Sequence, residues 1–360
     1  MEKYNCDSVV VGGGIIGCAL AYYLSKKKHH IVLLEKNFPA AGASGACNGG
    51  LSYLGKKGQL LDQAIESLYL YKELDKELQV KLEKDQNRKI LFLAENEKEM
   101  EFIDELVQEC NNRNMDANLK SCNEVKNILP IISGPFLGGA IAGGGLHGIV
   151  NPFNIINSFL QKFKTNGGKL FKNQEVKEIL VQNGMIFGVK TESFELKSST
   201  VIICAGYETN ELLKPLKFDC CLIPSKGTVL ITEKSFIDMN INILSAGFLE
   251  ENEKSSINLA IEKTLHNNIL IGTSAELGKT DLEIESEIVF KIAKKATDRF
   301  PILKTTNLIR TFSGIRPIRK GGPFMGAIPG IQGLFAAFGH GGMGITLAPY
   351  VGKMVANLIN

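Results

Sequence analysis

Six residues near the start of the chain have types and spacing that suit a phosphate-bearing ligand: Gly12-Gly13-Gly14-Ile15-Ile16-Gly17. They follow an apolar run, Cys6–Val11, and open a small-residue stretch with Cys18, Ala19 and Ala21. A second apolar run, Ile31–Leu34, ends on Glu35, eighteen residues after Gly17. Strand, glycine turn, helix, strand and acid in that order make a dinucleotide-binding unit. Gly12 permits the tight turn, Gly14 lets the backbone approach a pyrophosphate, and Gly17 lets helix and strand pack closely. The helix start presents free N–H groups and a positive dipole end to phosphate. Glu35 accepts hydrogen bonds from a ribose with a free 2′-hydroxyl, which favours FAD or NAD over NADP.

Other stretches supply the frame for this unit. Lys36–Leu51 is rich in Ala, Gly and Ser and includes Ala43-Ser44 and Asn48-Gly49-Gly50-Leu51. It suits a loop whose backbone wraps a ligand, a plain surface loop being the alternative. Helical periodicity covers Gln59–Arg88 and Glu95–Asn114, with a strand at Ile90–Ala94 between them and a short helix at Lys120–Leu129. A helix follows Pro152, and short alternating runs lead through the Asn183-Gly184 hairpin signal to a return strand, Ser199–Cys204. Ala205-Gly206 at its end leaves room for a nucleotide at a sheet switch point. Strands at Leu222–Pro224, Gly227–Thr232, Ile257–Ile261 and Ile269–Gly272, with a helix at Lys279–Asp298, predict a second domain on a mostly antiparallel sheet. Leu308–Pro317 is expected to return to the first domain, and Leu334–Phe338 is its last strand before the terminal helix. The expected division is 1–75, 140–215 and 308–360 for nucleotide binding against 76–139 and 216–307 for the substrate.

A chain of 360 residues with 44% hydrophobic and 22% charged residues buries a large core. Its net charge of +3 is too small to argue for nucleic acid or an anionic membrane surface. Gly321–Tyr350 lacks Asp, Glu, Lys and Arg, but Pro323, Pro329, Pro349 and many glycines exclude a spanning helix. The eight cysteines are scattered, without a CxxC pair or a Cys/His cluster that would point to a metal. The expectation is a cytoplasmic protein with reduced thiols, no targeting segment and no transmembrane segment.

Four blocks together resemble the D-amino-acid oxidase superfamily of FAD-dependent oxidoreductases, in particular its glycine oxidase, sarcosine oxidase beta subunit and hydroxyproline/proline dehydrogenase group. They are Val9–Lys36, Gly42–Gly50, VIICAG at Val201–Gly206, and Phe312–Ile359 with its GIRP and GHGGMGITLAP sequences. The resemblance implies an α/β fold: a doubly wound, Rossmann-like FAD-binding domain of glutathione-reductase type plus an α+β substrate domain. It implies that Ile15, Ile16 and Gly17 lie along the pyrophosphate and Glu35 and Lys36 at the adenosine ribose. Ala43, Ser44 and Asn48, Gly49, Gly50 and Leu51 would wrap the flavin side, and Val176 would meet the adenine through its backbone. Gly341, Gly342, Met343, Gly344, Ile345 and Thr346 would lie by the pyrimidine edge, where a helix start stabilises the charge of a reduced flavin. Arg316 matches the family arginine that holds a substrate carboxylate. His147 and His340 are the candidate bases by motif position, with a packing role the alternative for each.

The chain departs from the pattern at Gly342, where glycine oxidase-like chains carry a second arginine, and at Ile318-Arg319-Lys320, where relatives often carry an acid. No cysteine follows Cys221, so the FAD is expected to be non-covalent; Cys47 in the flavin loop reads as a packed thiol. The implied activity is oxidation of a small amino acid or secondary amine by hydride transfer from the α carbon to flavin N5. Electrons would pass to oxygen or to an electron-accepting subunit, in a homo- or hetero-oligomer. The alternatives are a 2-hydroxy acid or glycerol-phosphate dehydrogenase on the same fold, or a flavin-binding subunit of a heteromeric dehydrogenase.

Overall fold

Apolar runs without a polar break fill both faces of a sheet, and Val9–Val11, Ile31–Leu34 and Val201–Ile203 are buried throughout. The computed structural model describes residues 2–27, 30–78, 88–235, 237, 239–247 and 255–359. Its first strands are β1 (Glu2–Asn5), β2 (Ser8–Val11), β3 (Ile31–Leu34), β4 (Gly50–Leu51), β5 (Lys89–Ala94), β6 (Ala117–Ser121) and β7 (Gly138–Ala142). Next come β8 (Gly148–Ile149), β9 (Lys169–Phe171), β10 (Glu178–Gln182), β11 (Met185–Lys190), β12 (Phe194–Lys197) and β13 (Thr200–Ile203). The later strands are β14 (Leu222–Lys234), β15 (Ile241–Ser245), β16 (Ser256–Lys263), β17 (Asn268–Leu277), β18 (Leu308–Arg319), β19 (Phe324–Ala327) and β20 (Leu334–Phe338). The helices are α1 (Ile15–Ser25), α2 (Gly58–Glu77), α3 (Glu97–Asn111), α4 (Cys122–Ile128), α5 (Pro152–Thr165), α6 (Thr209–Leu213), α7 (Ser286–Arg299) and α8 (Gly344–Leu358).

The nucleotide-type sheet has the order β19-β20-β13-β2-β3-β9. Every pair is parallel except β19 with β20. Helix α1 is buried along its whole length, and α8 lies so close to it that a Cβ on Gly352 would sit 2.9 Å from the Ala19 backbone. A four-stranded sheet, β1-β12-β11-β10, holds the Asn183-Gly184 hairpin, where both turn residues have positive φ as that turn requires. The larger sheet runs β18-β14-β17-β16-β15-β5-β7-β6 and is antiparallel except at β15–β5. One face packs on α7, with Leu259, Ile261, Ile292 and Ala296 in one cluster.

Several expectations change on inspection. Leu308–Pro317 does not join the nucleotide sheet: β18 pairs with β14 from Leu222↔Arg319 to Thr232↔Leu308. Its far end reaches the other half through a bridge between Ile318 and His340, so the strand serves both parts of the molecule. Strand β7 likewise falls wholly in the larger sheet, across the expected boundary at residue 140. The two runs Leu222–Pro224 and Gly227–Thr232 are one strand, in which Pro224 faces Pro317 and neither offers an N–H. Helix α7 starts at Ser286 rather than Lys279 because Asp281 accepts from the Glu283 N–H and the Lys226 ammonium, a turn that competes with helix. The expected helix beyond Leu78 lies outside the described residues.

Candidate active site

The turn between β2 and α1 has the bare backbone and free helix start that a phosphate would require. Gly12 has φ +108°, and a Cβ there would approach the Cys204 carbonyl oxygen to 2.4 Å. A Cβ on Gly17 would come within 2.0 Å of the Gly12 oxygen, so helix and turn touch through bare backbone. Gly14 caps α1 without a side-chain hydrogen bond, and the first turn has no acid. The Ile15 N–H donates to Ser44 Oγ at 3.0 Å, which brings the loop to the helix start beside Ile16 and Gly17.

Glu35 ends β3 with its carboxylate aimed back at the turn. One oxygen accepts from the Gly13 N–H at 2.7 Å and the other from the Asn37 N–H at 2.8 Å. Each keeps a lone pair for a ribose hydroxyl. The Gln174 N–H donates to the Glu35 carbonyl, which lays the segment leading to buried Val176 alongside. Lys36 pairs with Glu208 at the rim. Ala205-Gly206 follow β13, and a Cβ on Gly206 would meet open space.

The loop from Ala43 to Leu51 is not a plain surface excursion. Gly50-Leu51 pairs with Gly148-Ile149, and a Cβ on Gly49 would sit 1.9 Å from the Val150 oxygen. The Cys47 thiol donates to the Ser44 carbonyl, and burial pushes it up to about 12, which makes it a packed neutral thiol. Above this loop lies the start of α8. Gly341–Met343 form a single 3₁₀ turn, and α8 begins at Gly344 with no side-chain cap and no acid in its first turn. Thr346 Oγ1 donates to the Gly50 carbonyl, and Tyr71 donates to the Ile345 carbonyl at 2.6 Å. A Cβ on Gly344 would lie 3.9 Å from Ile15 Cγ2, so the starts of α1 and α8 lie side by side. Two positive dipole ends, a glycine cradle and an inward carboxylate fit a dinucleotide whose second ring system becomes anionic on reduction, as the flavin of FAD does.

Arg316 sits on β18 opposite Ser225. Its Nη1 donates to the Ser274 carbonyl at 3.0 Å and its Nη2 to Thr273 Oγ1 at 2.7 Å. A Cβ on Gly227 would come within 2.5 Å of Nη2, so the absence of a side chain there makes room for the guanidinium. Phe312, Gly314 and Arg316 share one face of the sheet, and a Cβ on Gly314 would meet Ala46 at 2.5 Å. That face therefore looks onto the loop from Ala43 to Leu51.

Sequence reasoning missed Glu262 on the same face. Its carboxylate is 5% exposed and is hydrogen-bonded to the Asn48 side chain. A Cβ on Gly50 would approach its Oε1 to 2.7 Å. Burial pushes this carboxyl up to about 7, against the opposing pull of Arg88 and Asn48. Alternation carried the signal: Leu259 and Ile261 enter the α7 core, so Asn258, Ala260 and Glu262 must point to the other side.

The histidines fall elsewhere in the site. His147 is 3% exposed, its ring 4.3 Å from that of Tyr53, beside the Leu51 backbone and Lys56. Burial first, then Lys56, pushes it down to about 3. His340 is pushed down to about 4 by burial alone. Both are neutral imidazoles and weak bases at neutral pH.

Residues 7–358 match the family described as FAD dependent oxidoreductase (DAO). The chain belongs to that family. It is 24% identical to glycine oxidase of Bacillus subtilis over 99% of this chain and 94% of that protein. It superposes on L-proline dehydrogenase from P. horikoshii with a TM-score of 0.90 at 25% identity, covering 100% of this chain and 94% of that one. Against glycine oxidase from Bacillus cereus the TM-score is 0.87 at 25% identity, with 98% and 94% covered. By family it is therefore an FAD-dependent oxidoreductase, and its larger sheet is mostly antiparallel. No helix among the described residues is long and apolar enough to cross a membrane.

Proposed function

We propose that the protein oxidises a small amino acid or secondary amine of the glycine, sarcosine, proline or D-amino acid kind. FAD, bound without a covalent link, would supply a two-electron acceptor for the hydride of the substrate α carbon once the substrate nitrogen has given up its ammonium proton, leaving a protonated imine that water hydrolyses. Arg316 grips the substrate carboxylate and turns the α carbon toward the loop face. The start of α8, from Gly341 to Thr346, offers N–H groups to negative charge at the flavin pyrimidine, and α1 does the same for the pyrophosphate. His147 backs the Gly50-Leu51 wall of the pocket. Electrons leave for oxygen or an accepting subunit, and the eight unbridged cysteines suit a cytoplasmic setting. The two-domain division stays part of this reading, with β18 shared between the halves.

The observation that carries the reading is the placement of Arg316 on a sheet face that touches the flavin loop at Ala46. Anaerobic titration of the FAD-loaded protein with glycine, sarcosine, D-alanine and L-proline tests it. Bleaching of the flavin by at least one is expected, and Arg316→Ala should need far more of that substrate for the same rate. Bleaching by glycolate or glycerol phosphate alone would overturn the reading.

A further inference from the structure

Building on the amino-acid reading, we propose that Glu262 is the amine-recognising group of the site, so that Arg316 and Glu262 together read a zwitterion. Three observations carry this. The first is an unmet acceptor: Glu262 Oε2 is buried and has no hydrogen-bond partner, although Asn48 serves the carboxyl. A buried carboxylate oxygen without a donor is costly, and an ammonium brings three. The second is placement. In the antiparallel register Glu262 faces Leu270, and Ala260 faces Gly272, on the side of the sheet that also carries Val229, Phe312, Gly314 and Arg316. Leu270 and Val229 pack there on Ile149, next to the Gly50-Leu51 strand. The third is a shared neighbour: the Cys47 thiol feels Glu262 and Arg316 at once, the acid raising its pKa and the guanidinium lowering it. Acid and base thus flank the same short stretch of flavin loop.

A hydroxy acid or a phosphate ester offers no cation to such a carboxylate, whereas an α-ammonium or a ring imino nitrogen does. Arg88 does not occupy this role: its Nη1 donates to Asn242 and to the Lys263 carbonyl, and it acts on Glu262 through space. The absence of side chains at Gly50 and Gly314 lets the loop and this face approach closely: a Cβ at 50 would meet Glu262 Oε1 at 2.7 Å and one at 314 would meet Ala46 at 2.5 Å.

The test uses FAD-loaded protein and two unreactive ligands of similar shape. 2-Aminoisobutyrate has an ammonium and a carboxylate but no α hydrogen, and pivalate replaces the ammonium by a methyl. Calorimetry at pH 8 should show the wild type binding 2-aminoisobutyrate about ten-fold or more tighter than pivalate, the scale of one charge-assisted hydrogen bond. Glu262→Gln should lose about ten-fold for 2-aminoisobutyrate and keep pivalate within about two-fold. Equal losses for both ligands, or an unchanged preference, would overturn the proposal while the amino-acid reading survives. A wild type that binds neither ligand overturns the proposal, and the amino-acid reading is then decided by the bleaching titration alone. Should Glu262→Gln fail to load FAD, Glu262→Asp decides: it should weaken 2-aminoisobutyrate several-fold and spare pivalate, and wild-type affinity for both would refute the assignment.

Discussion

The Arg316 guanidinium donates to the Thr273 hydroxyl across 2.7 Å, which ties β18 to β17 across the intervening β14. The same arginine takes the carbonyl of Ser274, whose hydroxyl in turn accepts from the Thr228 N–H and donates to Glu276. The guanidinium proposed to hold the substrate carboxylate is therefore oriented by a chain of hydrogen bonds through Thr273 and Ser274.

Thr273→Val removes one of these contacts without changing volume much. The guanidinium then loses part of its alignment, and affinity for a simple carboxylate such as pivalate should fall about three- to ten-fold, the scale of one hydrogen bond. A fall in binding with an unchanged maximal rate of flavin reduction is the expected pattern. Thr273→Ser should restore most of it.

Gly17→Ala places a methyl 2.0 Å from the Gly12 oxygen, where only backbone can give way. The cost should be about 1–3 kcal/mol, as for other overpacked sites. Thermal melting and the flavin absorbance of the purified variant should both fall. Alanine at Gly206, where a Cβ meets open space, strains only its own φ of +60° and should stabilise or destabilise far less.

Acid should weaken the fold through its buried histidines. Their folded pKa values, about 3 for His147 and about 4 for His340, lie below the ordinary 6.5, so the unfolded chain binds more protons. Their contribution is complete above pH 6.5 and is lost as the pH falls toward 4 and 3. Glu262 acts in the opposite sense between 4.5 and about 7, where the folded form holds the extra proton. His147→Phe should keep the packing on Tyr53, drop two buried nitrogens that lack partners, and flatten the fall in melting temperature below pH 6.5.

Binding of an amine-bearing ligand should also depend on pH. Glu262 is faced by Asn48 and Cys47 from the loop, by Arg88 from the segment before β5, and shares its sheet face with Arg316. With its carboxyl near 7, affinity for 2-aminoisobutyrate should rise as the pH passes from 6 to 8, while that for pivalate stays level. Calorimetry at several pH values checks this, and Glu262→Gln should abolish the slope.

The glycine turn, Glu35 and the terminal helix were legible in the sequence because each rests on local rules: two-face burial for β2 and β3, and backbone proximity at Gly12 and Gly17. The larger sheet was less so. Strand β18 belongs to a block whose other half builds α8, and nothing local in Leu308–Arg319 says which sheet will take its edge. Pro224 hid the unity of β14, since only a facing Pro317 makes a proline tolerable there. The partners of Arg316 come from Thr273 and Ser274, some forty residues earlier, through a β14–β17 register that shifts between Lys226 and Val229. Glu262 lies just past the expected strand Ile257–Ile261, and only the packing of Leu259 and Ile261 into the α7 core puts it on the inner face.

The central claim is that an amine substrate gives up its α hydrogen as hydride to bound FAD. Its most direct test is the anaerobic flavin reduction rate with the best amino acid substrate carrying protium or deuterium at the α carbon. A clearly slower rate with deuterium is expected, together with no reduction by the corresponding hydroxy acid. Reduction by the hydroxy acid with none by any amine would contradict the account.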